Sequence, residues 1–238
     1  MPAPDLCYHL RPRGPRTRRR AVLTTLMTRR EMVLASAGAA FAAGSPPQTK
    51  MGVAATSYLL QGDVETLAFL DSCHALGAGG IQAAIRGADP AAIRARAERY
   101  GMWVEAFLSL PRDASAVEEF EKSLLAAKAA GATVARIAML GGRRYETFDT
   151  AESFRRFAGR SCQSLTLAEP VARKHRFYLA IENHKDWRVP DMLDMLKRIS
   201  SEYVGALVDT GNSLSLLEDP RSVIEAYAPY AQIGRAHV

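Results

Sequence analysis

Glu182 and Asp209 each close a short apolar run. Phe177-Tyr178-Leu179-Ala180-Ile181 leads into Glu182-Asn183-His184, and Val204-Gly205-Ala206-Leu207-Val208 leads into Asp209-Thr210-Gly211-Asn212. Each run reads as a strand buried on both faces, the pattern of a parallel sheet. A carboxylate at the last buried position is costly unless it is hydrogen-bonded, paired or bound to a metal. The two acids are 27 residues apart, about one strand–helix unit. That spacing sets them side by side at the C-terminal mouth of the sheet, where such folds keep their sites. The chemistry it points to is metal-dependent.

The elements that must position these acids alternate from Met51 onward. Strands are predicted over 51–58, 80–85, 102–110, 133–140, 177–183 and 204–210, with helices over 63–76, 89–100, 113–130, about 150–175, 190–200 and 219–227. Asp63 is a plausible N-cap, Pro90 suits a first helical turn, and Gly131 suits the position just past a helix end. Six such units without a hairpin signal imply an α/β fold with a parallel sheet. They fit either a doubly wound sheet or three-quarters of a (β/α)8 TIM barrel. No G-x-G-x-x-G follows the first strand and no phosphate-binding G-x-x-x-x-G-K-[ST] occurs. Acids at the ends of neighbouring strands suit the barrel, and a complete barrel needs about 250 residues. The expectation is therefore an incomplete TIM barrel over 51–232.

The segments Ala180–His184 and Val208–Asn212 together resemble the xylose isomerase-like TIM-barrel family of sugar-phosphate isomerases and epimerases. Gly79-Gly80-Ile81-Gln82 and the Leu140–Arg144 loop are similar too, and the resemblance spans roughly residues 51–232. It implies one divalent ion (Mn²⁺, Mg²⁺, Zn²⁺ or Co²⁺) at the barrel mouth, held by a Glu, an Asp, a His and a Glu after strands five to eight. Glu182 and Asp209 match the first two, and the other two would follow Gln232. It also implies proton transfer beside a carbonyl through an enediolate, with Glu182 as one of two proton-moving glutamates and a small sugar as substrate. Family ketose epimerases often have a His three residues after the strand-six Asp, where this chain has Asn212. That substitution leaves open a lyase or dehydratase acting on a keto sugar or cyclic polyol. A third reading is an exported barrel that binds sugar without catalysis. Relatives that cut DNA at abasic sites need histidines after strands two and three, where this chain has Gln82 and Glu105.

Other residues could contact substrate. His184 and Lys185 follow the ligand strand and could meet hydroxyls or a phosphate, or simply lie in a solvated loop. Trp187 could wall a sugar or pack its loop. Glu105, an acid among apolars, could reach substrate or pair with Arg136, which interrupts strand four in the same way. Arg143 and Arg144 follow a Gly-Gly turn and could grip an anion, with ordinary surface arginines as the alternative.

Composition bounds the rest. The 238 residues are 48% hydrophobic and 24% charged, ordinary for a globular protein. The net charge of +6 is concentrated at one end: residues 1–30 hold eight arginines and one acid, leaving the remainder near −1. The basic balance is thus no argument for nucleic-acid binding. Cys7, Cys73 and Cys162 lack zinc-type spacing, and adjacent Cys73 and His74 point apart on a helix. The order of Thr28-Arg29-Arg30, an apolar stretch over 32–43 and Ala40-Phe41-Ala42 reads as an export signal of twin-arginine type, with a cytoplasmic protein as the alternative. The apolar stretch falls short of the roughly 20 residues a membrane span needs. Residues 1–50 are therefore expected to be a basic leader, with translation starting at Met27. Residues 233–238 are what a common sequencing-adapter string encodes, so they are expected to be a non-native tail, and His237 is not counted as a ligand.

Overall fold

The structure, a computed structural model, describes residues 51–57 and 65–235. The expected leader, the Asp63 cap and residues 236–238 lie outside the described residues.

Seven parallel strands form one sheet whose spatial order equals their order in the chain. They are β1 (Gly52–Ala54), β2 (Gly80–Ala83), β3 (Trp103–Phe107), β4 (Val134–Ile137), β5 (Tyr178–Glu182), β6 (Val204–Asp209) and β7 (Ala231–Arg235). A doubly wound sheet reverses its order at a switch point, and this sheet has no reversal. The architecture is an incomplete α/β TIM barrel. Its edges are β1 and β7. Beyond β1, the Thr56 hydroxyl accepts a hydrogen bond from Arg235 of β7 at 2.9 Å, so the sheet curls until the mouth ends of its first and last strands nearly meet.

The helices between strands are α1 (Thr66–Ala75), α2 (Pro90–Tyr100), α3 (Val117–Ala129), the single turn α4 (Arg144–Thr147), α5 (Ala151–His175), α6 (Val189–Ile199) and α7 (Pro220–Tyr227). Local chemistry starts them. The Glu65, Asp89 and Asp219 carboxylates accept from backbone N–H groups of α1, α2 and α7. Thr150 and Ser153 cap α5 reciprocally. Gly101 ends α2 at a φ of 64°, a left-handed conformation that glycine adopts without strain. The turn α4 replaces part of the loop expected between strand four and the long helix. The helix expected from Asp113 begins with a 3₁₀ turn over Ala114–Ala116.

The sheet's period of two sorts side chains to its two faces. Leu179, Ile181, Ala206 and Val208 belong to the large core between sheet and helices, as do Ile81, Val104, Ala106, Ala135 and Ile137. The alternate residues Ala180, Leu207 and Ile233 make a separate small core, with Val134 packed against it. This second cluster lies on the inner face. Continuing its parity one step toward the mouth gives Arg136, Glu182, Asp209 and Arg235. The same alternation sends Gln82, Glu105 and Phe107 inward from β2 and β3. The inner face is therefore apolar at its middle and ionic at its mouth. Toward its floor, the Trp103 ring fills space that Gly52 and Gly80 leave free; a Cβ on Gly80 would lie 2.0 Å from that ring.

Six strands were expected and a seventh is present. The expected barrel ends at Gln232, because residues 233–238 read as foreign. In the fold Ile233 packs on the inner core and Arg235 pairs in register with Asp209.

Candidate functional site

Glu182 is fully buried at the end of β5. Its Oε2 accepts from Arg136 Nε at 2.5 Å and also meets Arg136 Nη2. Its Oε1 accepts from Arg235 Nη1 at 3.2 Å. Arg136 is itself nearly buried, and burial pushes its guanidinium pKa down while the Glu182 charge opposes that shift. Two charges removed from water are tolerable only when paired and hydrogen-bonded this closely.

Asp209 is buried at the end of β6. Its Oδ1 accepts from the backbone N–H groups of Gly211 at 2.9 Å and Asn212 at 3.0 Å, which fixes the turn into the 3₁₀ helix over Asn212–Leu216. Its Oδ2 lies 3.7 Å from Arg235 Nε.

Asn183 locks the two strand ends together. Its Nδ2 donates to the Asp209 carbonyl at 3.0 Å, and its Oδ1 accepts from the Asp209 N–H at 2.7 Å. The side chain thus continues the sheet ladder past the last backbone pair and sets the spacing of the acids. Its place between Glu182 and His184 was visible in the sequence, but the clamp depends on strand register.

Glu105 does not pair with Arg136. The register places Phe107 opposite Arg136 and Gln82 opposite Glu105. Arg136 accordingly lies over the Phe107 ring, 4.5 Å from its centroid, and spends its hydrogen bonds on Glu182. Glu105 Oε2 accepts from Gln82 Nε2 at 2.8 Å, and burial raises its pKa while that bond opposes the rise.

The loop after β5 is ordered from within. His184 Nδ1 lies 3.0 Å from the Leu140 carbonyl. A carbonyl only accepts, so Nδ1 carries the proton that makes this bond. Lys185 sits at a φ of 69°, and its carbonyl accepts from the Arg144 N–H. Trp187 is buried against Phe154 and Phe157, the loop-packing one of its two expected roles. Asn212 is buried with its Nδ2 lacking a hydrogen-bond partner. Arg143 pairs with Glu146, and Arg144 pairs with Asp191, so both arginines have carboxylate partners.

Asp186 was not anticipated. It is fully buried; its Oδ1 accepts from the His184 and Trp187 N–H groups, and its Oδ2 has no partner. Burial pushes its pKa up to about 7. Only its apolar surroundings on the fold reveal this, since an Asp four residues past a strand reads as an ordinary loop acid.

The chain matches the model of the xylose isomerase-like TIM barrel over residues 70–238 and belongs to that family. No curated protein sequence matches it. Among solved structures it is similar to the probable 3-DHS dehydratase AsbF of Bacillus anthracis, with 12% identity, a TM-score of 0.62, and coverage of 78% of this chain and 72% of that one. The 3-keto-D-glucoside 4-epimerase YcjR of E. coli gives 13%, 0.61, 80% and 80%. A sugar phosphate isomerase/epimerase of Parabacteroides distasonis gives 13%, 0.54, 81% and 76%. Isomerases, epimerases and a dehydratase thus share this fold.

The family often uses a metal, and the mouth fits a cation. Two buried carboxylates on adjacent strand ends already face one positive group, the Arg235 guanidinium. Oxygen donors of this kind suit Mg²⁺ or Mn²⁺, and carboxylates also bind Zn²⁺. Among the described residues no group of three or more His, Cys, Asp and Glu gathers at one point; Glu182 and Asp209 would be two donors of the four that the family resemblance implies.

Proposed function

We propose that this barrel is a divalent-metal-dependent sugar or sugar-phosphate isomerase or epimerase, working by proton transfer beside a carbonyl. The observation that carries the reading is the convergence of buried Glu182 and Asp209 on one cation at the inner mouth. Those two residues would hold the metal. When bound, the ion would polarise substrate oxygens and stabilise enediolate charge.

The protein's own groups divide the remaining work. Glu182 Oε2 is held by Arg136 and Oε1 by Arg235 at 3.2 Å, and Glu182 is the group that would take and return the proton. The Asn183 clamp holds both acids in one geometry. His184 Nε2 is oriented to accept from a sugar hydroxyl, and Lys185 stands beside it for a hydroxyl or phosphate. Asn212 can donate to a hydroxyl but cannot act as an acid, and this favours a dehydratase or lyase on a keto sugar as the second reading. Glu105 lines the same inner face and would meet the far end of a substrate. The Thr28-Arg29-Arg30 segment supports export, which a reporter fused to residues 27–50 would test by its location.

The proposal is tested by incubating the protein with Mn²⁺ and a panel of ketoses in D₂O. Deuterium should appear at the carbon beside the carbonyl, and Glu182→Gln should slow exchange by about 100-fold or more. Exchange unaffected by Glu182→Gln would overturn the assignment.

A further inference from the structure

A cavity of about 590 Å³ opens between the loops after β4, β5 and β6. Its walls come from α4, the start of α5, Arg188 and residues 215–217. The volume falls within the roughly 300–1,000 Å³ of small-molecule sites. Two apolar members of the lining, Tyr145 and Leu217, keep 57% and 92% of their surface exposed. Leu217 also adopts a φ of 58°, a left-handed conformation disfavoured for leucine. Backbone strain of this kind clusters where ligands bind. The polar lining is mixed in sign. Arg188 Nη2 donates to the Leu216 carbonyl at 3.0 Å, and the guanidinium has no carboxylate partner among the described residues. Asp149 is exposed and has no cationic partner among them. Arg144 is already committed: it pairs with Asp191 and lies 3.4 Å above the Phe154 ring centroid.

We propose that this cavity is a carbohydrate subsite beside the mouth, taking one neutral sugar ring. A guanidinium and a carboxylate left unpaired in one cavity suit an uncharged ligand, since an anion would meet Asp149 and a cation would meet Arg188. A sugar hydroxyl both donates and accepts, so it satisfies either group. Arg188 Nε and Nη1 donate to ring hydroxyls, and Asp149 accepts from them. The Tyr145 ring and the Leu217 methyls cover the ring's apolar C–H face. Arg188 follows His184 by four residues and Ser215 follows Asn212 by three, so cavity and mouth share their loops. The inference deepens the proposed function and rests on its reading of the mouth as a sugar site. A substrate that fills both places is a glycoside or oligosaccharide, not a free sugar or a sugar phosphate.

Isothermal titration and saturation-transfer NMR test this on the 238-residue protein without added metal. The probes are glucose, galactose and xylose, the disaccharides maltose, lactose and xylobiose, and glucose 6-phosphate. The variants are Asp149→Asn, Tyr145→Ala and Arg188→Gln, all at exposed positions where substitution disturbs folding little. At least one disaccharide should bind about tenfold or more tighter than its parent sugar. Each variant should remove that advantage and leave binding of the single sugar unchanged. Glucose 6-phosphate should bind no tighter than glucose. Equal binding of disaccharides and single sugars, in parent and variants, would overturn the subsite while leaving the sugar reading of the mouth standing. Tighter binding of the phosphate, lost in Arg188→Gln, would overturn the assignment to a neutral ring. Absence of binding by every sugar would overturn the subsite and the sugar reading together.

Discussion

Glu182 and Asp186 lie four residues apart, and both are fully buried, yet the molecule treats them oppositely. Glu182, on the inner face of the sheet, meets guanidinium groups from β4 and β7. Asp186, in the loop just above, has two backbone N–H donors on one oxygen and nothing on the other. One acid is held by opposite charge; the other is pushed toward its neutral form, with a pKa of about 7. Burial alone therefore does not mark a site. What distinguishes the mouth is the supply of positive charge. The loop acid instead ties a turn, holding His184 and Trp187 in place.

The largest expected effect follows from removing the mouth's acid. Glu182→Ala strands the nearly buried Arg136 without its carboxylate, which should cost about 3–5 kcal/mol in denaturant unfolding. A loss below 1 kcal/mol would erase the contrast between mouth and loop. Asp186→Asn probes the other side. The folded pKa of Asp186 lies above its unfolded value, so its contribution is fully present below about pH 4 and declines as pH rises through about 7. Subtracting the variant's pH–stability curve from that of the parent should therefore leave a fall across that window. The asparagine protein should be more stable at pH 8 by on the order of 2 kcal/mol. A flat difference curve would show that Asp186 ionises as easily as an exposed acid.

Asn183→Ala should cost less, about 1–3 kcal/mol, because it leaves the Asp209 N–H and carbonyl without their clamp. It should also weaken Mn²⁺ binding by the protein, which a purely structural residue would leave unchanged. The smallest effect belongs to Glu105→Gln. Burial raises the pKa of that acid and its hydrogen bond comes from the neutral Gln82 amide, so the change should stay within about 0.5 kcal/mol at neutral pH.

The fold was legible because its strongest signals are local. Apolar runs ending in polar residues located β5 and β6, and cap and turn residues such as Asp89, Pro90 and Asp219 placed helix starts within a residue or two. The inward direction of Glu182 and Asp209 follows from the period of two once either run is seen as a strand. Pairings between strands were not legible, because they depend on register. Of the two roles open to Glu105, substrate contact or pairing with Arg136, the second does not occur: Arg136 meets Glu182, a consequence of where β3 and β4 align. Asn183 reads as an unremarkable loop residue until β6 is laid beside β5. Asp186 carries no periodic signal, and its burial emerges only in the fold. The seventh strand was missed for a different reason: its last residues read as foreign, although they continue the inside–outside alternation of their neighbours.

The central claim is that Glu182 and Asp209 share a single cation. Anomalous diffraction from crystals of the protein soaked in Mn²⁺ tests it most directly. The account predicts one peak at the inner mouth, within coordination distance of a carboxylate oxygen from each acid. A peak that touches only one of them, or lies away from both, would contradict it.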